Sequence, residues 1–126
     1  MILVDTSVWI EHLRRGTPGL ARALEEGRVL LHPFVLGELA CGALRNREEL
    51  LRLFGDIPAA PTATDSEVLV FIENHVLMGW GIGYVDMHLL ASTVLEGATR
   101  LWTRDRRLAG VAASLGIAFA EKARAP

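Results

Sequence analysis

Fifteen acidic residues are spread along this chain, and most fall in charged runs such as Glu25-Glu26 and Glu48-Glu49 that read as solvated helix faces. Four do not. Asp5 ends the apolar run Ile2-Leu3-Val4 and is followed by two hydroxyl residues, Thr6 and Ser7; Glu38 stands between Leu36 and Leu39; Asp86 opens the apolar stretch "VDMHLLAS"; Asp105 follows "LWTR". Asp86 and Asp105 each also suit a helix N-cap, worth about 1 kcal/mol, and Asp5 suits a cap or a site equally well. Glu38 is harder to explain structurally, because a lone carboxylate among apolar neighbours is costly to desolvate unless paired or metal-bound. Four converging carboxylates would repel one another, and a hard divalent cation resolves that repulsion. Mg²⁺ or Mn²⁺ prefers oxygen ligands, and two such ions roughly 4 Å apart can activate a water and stabilise the leaving oxygen in phosphodiester hydrolysis.

Convergence has to come from the backbone. Ile2-Leu3-Val4 has the near-continuous apolar character of a strand buried on both faces, with Asp5 at its carboxyl end. A helical pattern follows (Val8, Trp9, Leu13), and "TPGLARALEEG" predicts a second helix with Thr17 at the N-cap, Pro18 at N1 and Gly27 as the stop. "RVLLHPF" reads as strand two, "PFVLGELACGALRN" and "REELLRLFGDI" as helices, and "IPAAP" as a short third strand bounded by prolines. A long helix is expected from Thr64 or Asp65, with Val68, Phe71, Ile72, His75 and Val76 forming a core-facing stripe, and it ends at "GWGIG". "YVDMHLLASTVLEG" is the next helix, "TRLWTRD" strand four, "RRLAGVAASLG" a helix and "IAFA" strand five, with "KARAP" frayed. The alternation specifies an α/β fold with a parallel sheet covered on both faces. On such a sheet, strand ends and the helix starts after them share the carboxyl edge where ligands bind. Asp5, Asp86 and Asp105 then fall on one edge, and Glu38 joins from the first turns of the helix after strand two.

Bulk properties narrow the function classes. The 126 residues fit a single domain, 1–126, with a sizeable core. A hydrophobic content of 51% and a mean hydropathy of +0.30 are high for a soluble monomer and predict apolar surface buried against a second copy or another partner. No apolar run approaches the ~20 residues of a membrane span, and the first ten residues carry an acid where a signal peptide needs an apolar stretch, so a cytoplasmic protein is expected. One cysteine, Cys41, excludes an internal disulfide, and neither it nor His12, His32, His75 and His88 shows zinc-ligand spacing. A net charge of −2 argues against a broadly basic nucleic-acid binder, while leaving room for a local one. The arginines cluster, notably as Arg104, Arg106 and Arg107 beside Asp105, and guanidinium forks suit phosphate.

Four segments together resemble the PIN-domain ribonucleases, most closely the VapC-type toxins of toxin–antitoxin pairs: "ILVDTSVWI", "VLGELACG", "GIGYVDMHLLA" and "LWTRDRRL", in that order and spanning essentially the whole chain. The resemblance implies a three-layer α/β/α sandwich with about five parallel strands ordered 3-2-1-4-5. It implies Asp5, Glu38, Asp86 and Asp105 as metal ligands or water-positioning groups, with Mg²⁺ or Mn²⁺ as cofactor. Thr6, Ser7 and Thr103 fall at hydroxyl positions of the motifs and are expected to orient the ligands or touch phosphate, and Arg104, Arg106 and Arg107 are expected to contact RNA phosphates. The implied activity is endonucleolytic cleavage of tRNA, rRNA or mRNA, inhibited by a small VapB-like antitoxin, in a homodimer that meets DNA only through the antitoxin. The family's last motif often carries a further acid or aromatic shortly after the Asp; here Arg106, Arg107 and Leu108 follow.

Two other classes compete. A dehalogenase-like phosphatase would use Asp5 as nucleophile but needs a second Asp two residues on, where Ser7 stands. A catalytically inactive module of the same fold, binding RNA or protein, would need no convergence of the acids. The run Gly79-Trp80-Gly81-Ile82-Gly83 follows a helix and lacks the Lys-Ser/Thr of a phosphate loop, so it reads as a connection, with Trp80 a candidate for base stacking or an apolar contact.

Overall fold

The computed structural model describes residues 1–121; the expected frayed stretch "KARAP" lies outside them. The chain runs β1 (Ile2–Val4), α1 (Thr6–Arg15), α2 (Pro18–Glu25), β2 (Val29–Leu30), α3 (Pro33–Ala40), α4 (Arg47–Gly55), α5 (Asp65–His75), α6 (Tyr84–Glu96), β3 (Arg100–Trp102) and α7 (Arg106–Ser114). The alternation expected from the sequence is therefore present as an α/β fold.

The sheet is parallel, with β1 in the centre between β2 and β3. Of the five expected strands only three are strands proper. The outer two shrink to single parallel bridges, Ala59 to Leu31 beyond β2 and Ala118 to Leu101 beyond β3. They occupy the places that the order 3-2-1-4-5 assigns them. The bridge at Ala59 stays short because it lies between Pro58 and Pro61, which have no N–H for a ladder. The central strands are sealed: Leu3, Val4, Leu101 and Trp102 are buried, and they pack with Val8, Leu20, Leu89, Leu90 and Leu108 from the helices into one core.

Two helices differ from expectation. α3 stops at Ala40 rather than running on to Asn46, because the guanidinium of Arg47 turns back to donate to the carbonyls of Ala40 at 2.7 Å and Gly42 at 3.2 Å, satisfying the orphan acceptors of the helix end. α5 starts where its signals place it, with a complete Thr64/Glu67 capping box. Its stripe is only partly core, however: Val68 is buried, Phe71 and Ile72 are half-buried, and His75 and Val76 are exposed. The backbone turns left-handed at Val76 (φ 53°), which ends the helix and swings that side chain out of the stripe. Leu69, Val70 and Met78 are exposed as well.

Candidate active site

Adjacent parallel strands end together, so the residues after them meet. The Asp5 amide donates to the Trp102 carbonyl at 2.9 Å, which sets Asp5, after β1, beside Thr103, after β3. Asp5 is also the N-cap of α1, its Oδ1 accepting from the Thr6 amide at 2.8 Å. Its Oδ2 accepts two hydroxyls, Ser7 Oγ at 2.8 Å and Thr103 Oγ1 at 2.7 Å. A hydroxyl has one proton to give, so the 3.4 Å approach between Ser7 Oγ and Thr103 Oγ1 is a contact between two groups already committed to Asp5. Their oxygens in turn accept backbone amides, Ser7 Oγ from Arg104 and Thr103 Oγ1 from Asp105, both at 3.0 Å. The buried Asp5 carboxylate, 7% exposed, is thus fixed by three donors and needs no rearrangement to present a negative edge.

The other three acids are placed by three different helices. Asp105 caps α7 by accepting from the Leu108 amide at 3.0 Å, so the cap reading made from the sequence holds there. Asp86 is not a cap: Gly83 holds that position in α6, and Asp86 lies half-buried in the first turn. Its carboxyl is pushed up to about 6, first by burial and then by the negative charges of Asp5, Asp105 and Glu38, against one backbone hydrogen bond at Gly83. All four acids therefore share one electrostatic field. Glu38 corrects an expectation. It is exposed rather than desolvated, because α3 turns Val35 and Leu39 into the core and leaves Glu38 on the outer face, where Thr6 Oγ1 donates to its Oε1 at 2.7 Å. Thr6 thereby ties Glu38 to the residue next to Asp5.

A profile of the PIN domain matches residues 2–114. The chain belongs to the PIN-domain family. Among its relatives is Ribonuclease VapC32 of Mycobacterium tuberculosis, in strains CDC 1551 / Oshkosh and H37Rv, each 45% identical over 122 residues, covering 97% of this chain and 98% of theirs. This makes it a VapC-type PIN protein.

In this PIN domain the donor set suits a hard cation, being all oxygen, with like-charge repulsion concentrated at Asp86 that a cation would relieve. Among the described residues no three His, Cys, Asp or Glu side chains form a group that could hold an ion as they stand. The arginines differ from one another. Arg104 reaches Glu11 at 3.4 Å and Glu121 at 2.9 Å. Arg107 lies on the glycine-rich loop, its Nη1 3.4 Å from the Gly81 carbonyl; a Cβ on Gly81, whose φ is +77°, would fall 2.7 Å from that nitrogen. Arg106 is exposed and has no carboxylate partner within 4.0 Å among the described residues.

Sequence reasoning missed a second constellation of this PIN domain. His88, without zinc-ligand spacing in the sequence, is buried on α6, and its Nε2 lies 3.1 Å from Asp65 Oδ1, the same oxygen that accepts the Tyr84 hydroxyl at 2.8 Å. Phe34 and Tyr84 pack on the His88 ring at centroid separations of 4.8 and 4.7 Å, and His32 on Phe34 at 5.1 Å. His32 is buried as the N-cap of α3, its Nδ1 accepting from the Phe34 amide at 3.0 Å. Burial, and then the nearby charge of His88, lower it to about 4. The signal available in the sequence was the i,i+4 spacing of Tyr84 and His88, which puts both on one helix face.

Proposed function

We propose that this chain is a divalent-metal-dependent endoribonuclease, the toxin of a type II toxin–antitoxin pair acting on RNA in the cytoplasm. The observation that carries the reading is the hydrogen-bonded chain from Glu38 through Thr6, Asp5 and Thr103 to the Asp105 amide, which brings three of the acids to one edge, with Asp86 in the field of all three. The name of the 45% identical VapC32 relatives, Ribonuclease, supports it.

Bound Mg²⁺ or Mn²⁺ would supply Lewis acidity at the scissile phosphate and offset the charge of the four carboxylates that hold it. The chain's own part is positioning. Asp5, locked by Thr6, Ser7 and Thr103, is the fixed ligand. Glu38, on an exposed helix face and steadied by Thr6, is the adjustable one. Asp86, half-buried in the charge of the other three acids, is the ligand whose repulsion a cation would relieve most. Asp105 is held at both ends, its amide by the Thr103 hydroxyl and its carboxylate by the Leu108 amide. Arg106 is the first candidate for a phosphate contact; Arg104 and Arg107 would join by leaving Glu11, Glu121 and the Gly81 carbonyl.

For partners we propose a small VapB-like antitoxin, through which DNA is met indirectly, and a second copy of the chain. The apolar groups exposed around α5, Leu69, Val70, Val76 and Met78, support a protein partner. The alternative, a non-catalytic RNA- or protein-binding module, is favoured by the lack of a closed three-ligand group among the described residues. Incubating the protein and its Asp5→Asn variant with a mixed tRNA, rRNA and mRNA pool in Mg²⁺, Mn²⁺ or EDTA separates the two. Discrete cuts that require the metal and Asp5 establish the nuclease. Equal inertness of both proteins, with no metal uptake by calorimetry, establishes the module.

A further inference from the structure

We propose that Phe34 and Tyr84 form a stacking subsite for one nucleobase of the single-stranded RNA that the carboxylate site cuts; this rests on the ribonuclease reading above.

Both rings stand on first turns of helices at the sheet's carboxyl edge, Phe34 in α3 and Tyr84 in α6. Phe34 is four residues before Glu38, so the two share one face of α3, and Tyr84 joins Phe34 through the His88 ring that both touch. The rings are 40% and 44% exposed, although aromatics of this size usually gain by burial. They are also held in place. The buried His88 ring packs against both, and Tyr84 is fixed by its 2.8 Å hydrogen bond to Asp65. A rigid aromatic surface beside a phosphodiester-cutting site loses little conformational entropy on contact, and it accepts any base because every base has a π-face. The matching chemistry is a neutral planar ring attached to a phosphate lying on the acids, which is a nucleotide of the substrate strand.

The test walks one abasic nucleotide along a labelled single-stranded RNA that wild type is shown to cut. Anisotropy reads binding in the Asp86→Asn background with Mn²⁺, and gels confirm that the strand stays whole. The abasic substitution should weaken binding roughly five- to hundredfold at one position of the strand and little elsewhere. Phe34→Leu and Tyr84→Leu should each weaken the intact strand by a comparable factor and erase that positional effect, whereas Tyr84→Phe, which keeps the ring, should retain it. If Phe34→Leu and Tyr84→Leu weaken intact and abasic strands equally, or neither of them, the subsite is overturned while the nuclease reading stands. If they alter self-association by sedimentation and leave RNA binding unchanged, the rings are a protein interface and the subsite is likewise overturned. If wild type cuts no RNA, both readings fall together. Should the leucine variants lose their cooperative thermal transition, Tyr84→Phe together with the abasic walk on the unmodified aromatic surface decides the matter alone.

Discussion

Thr103 donates its hydroxyl to Asp5 Oδ2 at 2.7 Å across 98 residues of sequence, and the oxygen that gives this proton takes the amide of Asp105 at 3.0 Å. One side chain therefore couples the ends of β1 and β3 and sets the separation of two of the four acids. Ser7 repeats the arrangement between Asp5 and the Arg104 amide. Such relays hold a carboxylate in one geometry before any ligand arrives, which is the condition for a site that positions rather than searches.

Thr103→Val keeps the shape of the side chain and removes both bonds. It leaves the Asp105 amide without its acceptor and Asp5 with two donors in place of three. The expected cost is about 1–3 kcal/mol in stability by chemical denaturation. RNA cleavage should fall at least about tenfold, because a small displacement of a ligand is expensive in rate. Thr103→Ser should restore most of both. A variant that loses stability yet cleaves at the wild-type rate would show that the relay supports the fold alone.

Asp86 gives the activity its pH dependence. Its carboxyl lies near 6, above its ordinary 3.8, so the folded state holds the proton more tightly than the unfolded chain does. Its contribution to stability is therefore fully present below about 3.8 and is lost as pH rises through about 6. Without metal, the protein should be more stable at pH 5 than at pH 7.5 as far as this residue is concerned. Asp86→Asn should raise stability at neutral pH, by on the order of 1 kcal/mol after allowance for solvent screening. Metal binding and cleavage run the opposite way, since a ligand must be deprotonated, and both should climb through pH 6. Melting curves and initial rates over pH 5–8 check the two signs together; a flat rate profile across that range would show that deprotonation of Asp86 does not limit metal binding or cleavage.

Much of this was legible in the sequence. Ile2-Leu3-Val4 announced a buried strand, Thr64 with Glu67 a capped helix and Pro18 a helix start, because each signal is local and strong. The carboxyl-edge rule then placed Asp5 and Asp105 at neighbouring strand ends without any knowledge of distance. Long-range geometry escaped it. Periodicity made Glu38 look buried, since two leucines flank it, yet the choice of which α3 face meets the core is made by tertiary packing. The Phe34, Tyr84 and His88 cluster joins two helices far apart in sequence, and no spacing along the chain encodes that contact. The expected strand "IPAAP" shrank to a bridge for a different reason: apolar residues beside proline pack at a sheet edge without forming a ladder.

His32 should set an acid limit on the fold. It is buried, its Nδ1 is used in capping α3, and its Nε2 has no hydrogen-bond partner among the described residues. Its value near 4 in the fold, against 6.5 ordinarily, means that only the unfolded chain takes up this proton between those two pH values. Stability should therefore be unaffected by this group above about 6.5 and decline as pH falls from there toward 4, by on the order of 1–3 kcal/mol in total. His32→Asn retains a capping acceptor and does not titrate, so its urea midpoint should be flatter than wild type over that interval. A wild-type slope identical to that of His32→Asn would mean that the imidazole gains its proton in the folded protein as well.

Removal of metal should act on stability and activity through the same four residues. A ligand that binds only the folded state at about a hundred times its dissociation constant stabilises it by about 2.7 kcal/mol. The relief of repulsion around Asp86 is one of the contributions that set that dissociation constant. Saturating Mn²⁺ should thus raise the melting temperature of wild type, and EDTA should return it to the starting value while ending cleavage. Asp5→Asn and Asp105→Asn each weaken the donor set, so the Mn²⁺-induced shift should shrink in both. Cys41→Ser, at an exposed position that contributes no carboxylate, should keep the full shift. A shift of equal size in all four proteins would place the ion elsewhere on the surface and leave the carboxylates as a purely electrostatic feature.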